Sequence, residues 1–124
     1  MIVNGKVSTI NGYIDIKNLN IGDYVLNRRN RRILITDIKL SQITNIITFI
    51  KDPEIVLSDD TVLNTIYGKK KIQDLLDDTI YFLLPNGKIE KEKYIVTELE
   101  TPVIGYQIIL ETPDSYYVNQ YSID

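Results

Sequence analysis

The 124-residue sequence contains no cysteine, no histidine, no tryptophan and no alanine. Each absence closes a class of chemistry or structure. Without cysteine there is no disulfide, no thiolate ligand and no thiol nucleophile. Without histidine there is no imidazole to ligate a metal, to act as the base of a Ser-His-Asp triad, or to titrate near neutral pH. Catalysis would have to use carboxylates, lysine, tyrosine or hydroxyls, and no cofactor is expected. Without alanine the best helix former is gone, and the apolar residues that remain are mostly β-branched or aromatic, which favour strands. An excess of positive charge is missing too: 14 basic against 17 acidic residues leave a net charge of −3. No overall positive field exists to hold a nucleic-acid backbone or an anionic membrane, so neither is expected as a general partner. No apolar run approaches the roughly 18 residues that cross a bilayer. The opening Met1-Ile-Val-Asn-Gly has neither the charged nor the long apolar region of a signal peptide. Nothing argues for export, which leaves the cytoplasm or the inside of a virus particle.

What is present describes an ordinary globule: 44% hydrophobic and 25% charged residues, in a length that suits one domain spanning residues 1–124. The chain carries 22 isoleucines and 10 asparagines against zero alanines, a bias that fits an AT-rich coding source. Short Ile, Val, Leu and Tyr runs predict an all-β fold, with strands near Lys6 to Ile10, Tyr13 to Ile16, Asp23 to Asn27, Arg32 to Leu40, Thr44 to Phe49 and Ile55 to Leu57. Further strands are expected near Val62 to Thr65, Lys70 to Ile72, Thr79 to Leu84, Ile89 to Leu99, Ile104 to Leu110, Tyr116 to Val118 and Tyr121 to Ile123. Only Ile16 to Leu19 and Ile72 to Asp77 suggest helical turns, each too brief for an amphipathic helix. Asn11-Gly12 and Asn86-Gly87 lie between apolar runs, where both central residues of a tight hairpin need positive φ. No internal repeat of ordinary period stands out, although IKNLNIGDY and IQDLLDDTI look alike.

That pair of segments leads to a resemblance. Val7 to Leu26, VSTINGYIDIKNLNIGDYVL, resembles the opening of the Hint domain, the module shared by hedgehog autoprocessing domains and inteins. Ile55 to Phe82 is similar to the family's middle block, in which a Thr-x-x-His stretch precedes a Gly turn and a Leu-containing step. Val103-Ile-Gly-Tyr-Gln-Ile-Ile-Leu and Tyr116-Tyr-Val-Asn-Gln-Tyr-Ser-Ile-Asp resemble the closing strands that usually end in His-Asn. The resemblance covers nearly the whole chain in order. It implies a Hint-like horseshoe of long, twisted strands with very little helix. It also gives Gly22 and Asp23 structural turn roles, and predicts a looser turn at Asn119-Gln120, where the family has Asn-Gly.

The same resemblance implies that the family's chemistry is missing here. The nucleophile position at the domain start falls on Met1 or just before it, with no thiol or hydroxyl available. The Thr-x-x-His element maps onto Ser58-Asp59-Asp60-Thr61, where hydroxyls stand but no imidazole does. The terminal His-Asn maps onto Ile123-Asp124, and an aspartate lacks the amide nitrogen that closes a ring. Ser8, Ser58, Thr61 and Ser122 are the hydroxyls at family-like positions, and without an imidazole they are poor nucleophiles.

The remaining features each have a simpler structural role beside a functional one. Arg28-Arg29-Asn30-Arg31-Arg32 reads as a hairpin tip between Val25 and Ile33, either solvated or contacting phosphate or carboxylate. Lys69-Lys70-Lys71 reads in the same two ways. Asp59-Asp60 and Asp77-Asp78 read as turn residues before they read as Ca²⁺ or Mg²⁺ ligands, and no metal site is expected. Tyr116, Tyr117 and Tyr121 offer either an interaction surface or alternating burial. The expected function is therefore non-enzymatic: a structural or protein-interaction module docking with a protein partner or larger assembly, such as a virus particle. One alternative is a residual autoprocessing element of a longer precursor. Another is a small β-barrel that binds nucleic acid through the Arg28 to Arg32 tip.

Overall fold

Runs of Ile, Val and Thr restrict χ1 and fit a pleated surface better than a helix, and extended backbone dominates the result. The computed structural model describes residues 1–75 and 78–124. Its strands are β1 (Ile2–Asn4), β2 (Lys6–Thr9), β3 (Gly12–Asp15), β4 (Tyr24–Leu26), β5 (Arg32–Phe49) and β6 (Val56–Ser58), then β7 (Val62–Thr65), β8 (Gly68–Lys71), β9 (Thr79–Leu83), β10 (Ile89–Leu110), β11 (Tyr116–Val118) and β12 (Tyr121–Ile123). They join in one continuous antiparallel path, β8-β7-β12-β11-β2-β4-β5-β6-β1-β10-β9, with β3 on β2 and β5 also pairing β10. The all-β expectation holds. Helix among the described residues is confined to 3-10 turns at Ile16–Asn18 and Ile72–Asp74. The rest of the second expected turn, at positions 76 and 77, lies outside the described residues, as does the Asp77 half of the Asp77-Asp78 pair. No described helix is long and apolar enough to cross a membrane.

The largest departure from the sequence reading is that four expected strands are two. Arg32 to Leu40 and Thr44 to Phe49 form the single strand β5, and Ile89 to Leu99 with Ile104 to Leu110 form β10. The two pair from Tyr94↔Phe49 to Leu110↔Ile35. The polar and proline residues that read as breaks are absorbed by a register shift: Glu98 faces Asn45 and Val103 faces Ile43, so positions 99–102 bulge without partners in register. Pro102 has no N–H to contribute and sits in that unpaired stretch, where it costs the ladder nothing. The short strand β1, unexpected from the sequence, bridges β10 through Ile2↔Tyr106 and β6 through Ile2↔Leu57.

The likeness noticed between two segments is a repeated structural unit. In the first, Thr9 pairs Gly12 across Ile10-Asn11, and the Thr9 hydroxyl donates to the Gly12 carbonyl at 2.7 Å while accepting from Asn11 N–H. In the second, Thr65 pairs Gly68 across Ile66-Tyr67 with the same hydroxyl bridge at 2.9 Å. Each hairpin then runs into a 3-10 turn that buries Ile16 or Ile72. The turn chemistry therefore differs from expectation. Gly12 alone carries positive φ, at 93°, and stands just after the two-residue loop rather than inside it. At the second expected hairpin, Leu84 N–H donates to Lys88 C=O and only Gly87 has positive φ, at 83°, giving a three-residue loop. Asn119-Gln120 makes a tight turn, not a loose one. Val118 pairs Tyr121 directly, and Asn119 takes the left-handed conformation itself at φ 53°.

Ile2, Val7, Ile35, Ile47, Leu57, Leu63, Val118 and Ile123 are essentially inaccessible and form the centre of the core. Phe49, Phe82 and Tyr121 form an aromatic cluster there, with centroids 4.9 to 5.7 Å apart. Gly22, at φ 97°, donates its N–H to Ile35, and Asp23 accepts from Asn20 N–H at 2.9 Å, closing the turn into β4.

Candidate functional site

Both ends of the chain converge on one segment, Ser58–Asn64. Met1 precedes β1, which lies against β6. Its carbonyl accepts from Ser58 N–H at 2.9 Å, and its amine donates to Ser58 Oγ at 2.7 Å and Thr61 Oγ1 at 2.9 Å. Asp124 follows β12, which pairs β7 through Ile123↔Leu63, and its N–H donates to Val62 C=O at 3.1 Å. Gly105 on β10 makes room for this seat, since a Cβ there would stand 2.6 Å from Ile43 Cγ1 and 3.2 Å from Met1 Cβ.

Around Met1 the chemistry is hydroxylic and acidic. Ser58 and Thr61 are buried, with their oxygens 3.0 Å apart, and the Ser58 hydroxyl donates to Asp60 Oδ1. Burial holds the Met1 amine below its usual 8.0, while the nearby Asp60 charge works the other way. Around Asp124 the network is different. Asn64 Nδ2 donates to Ser115 Oγ at 2.9 Å, Ser122 Oγ at 3.1 Å and Asp124 Oδ1 at 3.3 Å, and Ser115 Oγ donates to the same carboxylate. Lys69 Nζ pairs Asp124 Oδ2 at 2.6 Å. Burial works to raise the Asp124 carboxyl, but hydrogen bonds from Lys69, Ser115 and Asn64 outweigh it and hold the group below its usual 3.8.

The structure thus brings together Met1, Ser58, Thr61, Ser122 and Asp124, and leaves Ser8 elsewhere, half-exposed on β2 beside Tyr13. Asp59 and Asp60 lie in the turn between β6 and β7. No group of three or more acidic side chains that could hold a metal ion occurs among the described residues. Tyr116 and Tyr121 are only 4% and 5% exposed and belong to the core, which removes them from any interaction surface. Tyr117 alone of that set reaches the surface. The two-stranded ribbon alternates, so neighbouring tyrosines face opposite sides.

Sequence reasoning misses Asn64, Ser115 and Glu92; Lys69 it names as a contact for phosphate or carboxylate, and the carboxylate is Asp124. Asn64, Lys69 and Ser115 build the Asp124 network. Glu92, 1% exposed, accepts from the Tyr121 hydroxyl at 2.6 Å and leaves Oε2 buried without a partner. Glu92 sits in the alternating run IEKEKY, opposite Ile80 on β9. That apolar partner is the only signal that its side of the strand faces inward.

Solved structures decide the architecture. The gp41-1 intein superposes with a TM-score of 0.78 at 20% identity, covering 98% of this chain and 94% of that one. The bacterial intein-like domain from Clostridium thermocellum gives 0.81 at 17% identity, covering 98% and 96%. The fold is that of the inteins. The DnaX mini intein from Spirulina platensis agrees, with a TM-score of 0.67 at 14% identity over 99% of this chain and 98% of that one. No family model matches the sequence, and no curated protein matches it significantly. In this intein-like frame the two networks lie where the chain begins and ends, joined through consecutive residues Thr61 and Val62.

Proposed function

We propose that this intein-like domain does not rearrange its own peptide bonds and serves as a structural or protein-interaction module. One observation carries the reading: the side chains that bond the first residue are two hydroxyls, and the Ser58 hydroxyl donates its hydrogen bond to Asp60. An amide-to-ester shift needs a nucleophile at the first residue and a group that can protonate the leaving nitrogen. Met1 offers a thioether, and the place of an imidazole is taken by Thr61, whose hydroxyl neither takes nor gives a proton readily near neutral pH. At the other end Asp124 has no side-chain amide to attack its own carbonyl. Its carboxylate is instead held by Lys69, Ser115 and Asn64, which fits a closing clasp better than a reacting group. The setting we favour is a protein assembly, such as a virus particle, since edge strands such as β8 and β9 can dock a partner by strand addition.

The test fuses short peptides to both ends of the chain and follows the purified product by intact-mass spectrometry. Only the uncleaved fusion is expected. Cleavage before Met1 or after Asp124, or ligation of the two peptides, refutes the reading.

A further inference from the structure

The loop between β4 and β5 carries Arg28, Arg29 and Arg31, and Arg32 opens β5; all four are exposed. The loop is held in shape from within. Asn27 Oδ1 accepts from the N–H groups of Arg29 and Arg31, each at 2.9 Å, Asn30 turns the chain at φ 60°, and Asn27 Nδ2 ties the loop to Asp114 at 3.0 Å. The guanidiniums are left without acids: among the described residues the ion pairs are Lys51–Glu90 and Lys69–Asp124. Asp114, the acid beside the loop, already accepts from Asn27 and from Ser115 N–H at 2.7 Å. Arg32 lies 5.0 Å over the Tyr24 ring, which leaves three arginines uncommitted.

Two clefts adjoin at this loop and share Asn27 and Arg28. One, about 400 Å³, is strongly polar and has Arg28, Arg29 and Arg31 in its wall together with Asp114, so three guanidiniums against one carboxylate leave it net positive. The other, about 300 Å³, is lined by Tyr13, Tyr117, Pro85 and Ser8 together with Asn30. Tyr13 is 48% exposed. The first cleft offers planar, permanently charged forks suited to phosphate. The second offers two aromatic rings beside a hydroxyl and the Asn30 amide, groups that suit a planar heterocycle with polar edges. An acidic peptide would use the first and have no use for the second. A polymer that alternates phosphate with an unstacked planar base uses both.

We propose that the Arg28–Arg32 tip and the tyrosine cleft beside it bind single-stranded nucleic acid, with phosphate among Arg28, Arg29 and Arg31 and the adjoining base against Tyr13 and Tyr117. The overall charge of −3 does not oppose this, because at 0.1 M salt charges more than about 10 Å away are largely screened and the local arginines dominate. The site is independent of the chain ends, so its fate and that of the non-splicing reading are decided separately.

The test measures fluorescence anisotropy of a labelled oligothymidylate, and its uridylate counterpart, with the full chain. Binding is expected at low salt. With three phosphates neutralised, log K should fall against log salt with a slope of about −2. Arg28→Ala with Arg29→Ala and Arg31→Ala removes binding and leaves the thermal melt unchanged, since all three are exposed. Tyr13→Leu weakens binding about tenfold while keeping the salt slope, because it removes a stacking face and no charge. No binding at low salt overturns the proposal, as does binding that survives the triple substitution. Equal affinity for a poly-glutamate peptide would make the tip a site for acidic protein and overturn it. Equal affinity for thymidine monophosphate would assign the clefts to a free nucleotide and overturn it as well.

Discussion

Tyr121→Phe removes one oxygen atom and nothing else from the core, and its effect follows from what that oxygen does for Glu92. The ring keeps its contacts with Phe49 and Phe82, each at 4.9 Å between centroids. Glu92 loses the hydroxyl that donates to Oε1 at 2.6 Å, and since Oε2 has no partner the whole carboxyl group is then buried unpaired. Leaving such a group unsatisfied costs about 1–3 kcal/mol, and with both oxygens involved we expect a loss of about 2–3 kcal/mol. Glu92→Met acts differently. It deletes the orphaned oxygen and leaves one neutral hydroxyl without its acceptor, in place of an ionisable carboxyl group. Its cost should stay near about 1 kcal/mol. The double variant replaces a half-satisfied polar pair by apolar groups of similar size and should lie within about 1 kcal/mol of the native protein. The two substitutions therefore couple by about 2–4 kcal/mol. Urea unfolding of the four proteins, extrapolated with a common m-value, measures this directly. Additive losses, or a Tyr121→Phe protein as stable as the parent, would refute the reasoning.

Three further expectations concern pH and packing. Burial raises the Tyr116 and Tyr121 phenols well above their usual 10.0, so their contribution to stability is fully present below that value and is lost as pH rises beyond it. For Tyr116 alone the decline is about 1.4 kcal/mol per pH unit, and urea midpoints measured across alkaline pH should flatten in Tyr116→Phe. Asp124, held below 3.8, supports the fold above its unfolded value and withdraws that support as pH falls through its folded one. Lys69→Met should move the Asp124 carboxyl upward in an NMR titration, and no movement would dismiss the Lys69 pairing. Gly105→Ala would push a methyl into Ile43 and Met1, at 2.6 and 3.2 Å. Since the β-branched Ile43 yields poorly, we expect a loss of about 1–3 kcal/mol, with the Met1 amine returning toward 8.0 as it leaves its seat. Ile43→Ala in the same chain should restore both readouts.

The all-β class was readable because β-branched residues without alanine admit little else, and most strand centres fall where Ile and Val cluster. Continuity was not readable. Ser41-Gln42 and Glu100-Thr101-Pro102 look like loops, yet β5 and β10 support each other across the bulge so that neither strand needs to end. Turn geometry was misplaced because Asn-Gly signals positive φ without saying whether the glycine lies inside the loop or just beyond it. Met1, Ser58, Thr61 and Asp124 were reachable through the resemblance. Asn64 and Ser115 were not, because they meet across 51 residues of sequence; Lys69 stood out only as part of a basic run, with nothing to mark Asp124 as its carboxylate. Glu92 was the hardest of all, being a charged residue in a charged run whose burial is set by β9 and Tyr121.

The seating of Met1 on Thr61 and of Asp124 on Val62 has a consequence for how the backbone can be rewired. Residues 1 and 124, hydrogen-bonded to consecutive residues, can be joined by a short bridge with little loss of loop-closure entropy. A circular permutant opened at the exposed Pro85–Gly87 loop would then keep every strand pairing described above and carry its new termini at the far end of a hairpin. Such a protein would present one continuous, uncut β6-to-β7 segment with no free amine beside Ser58 at all.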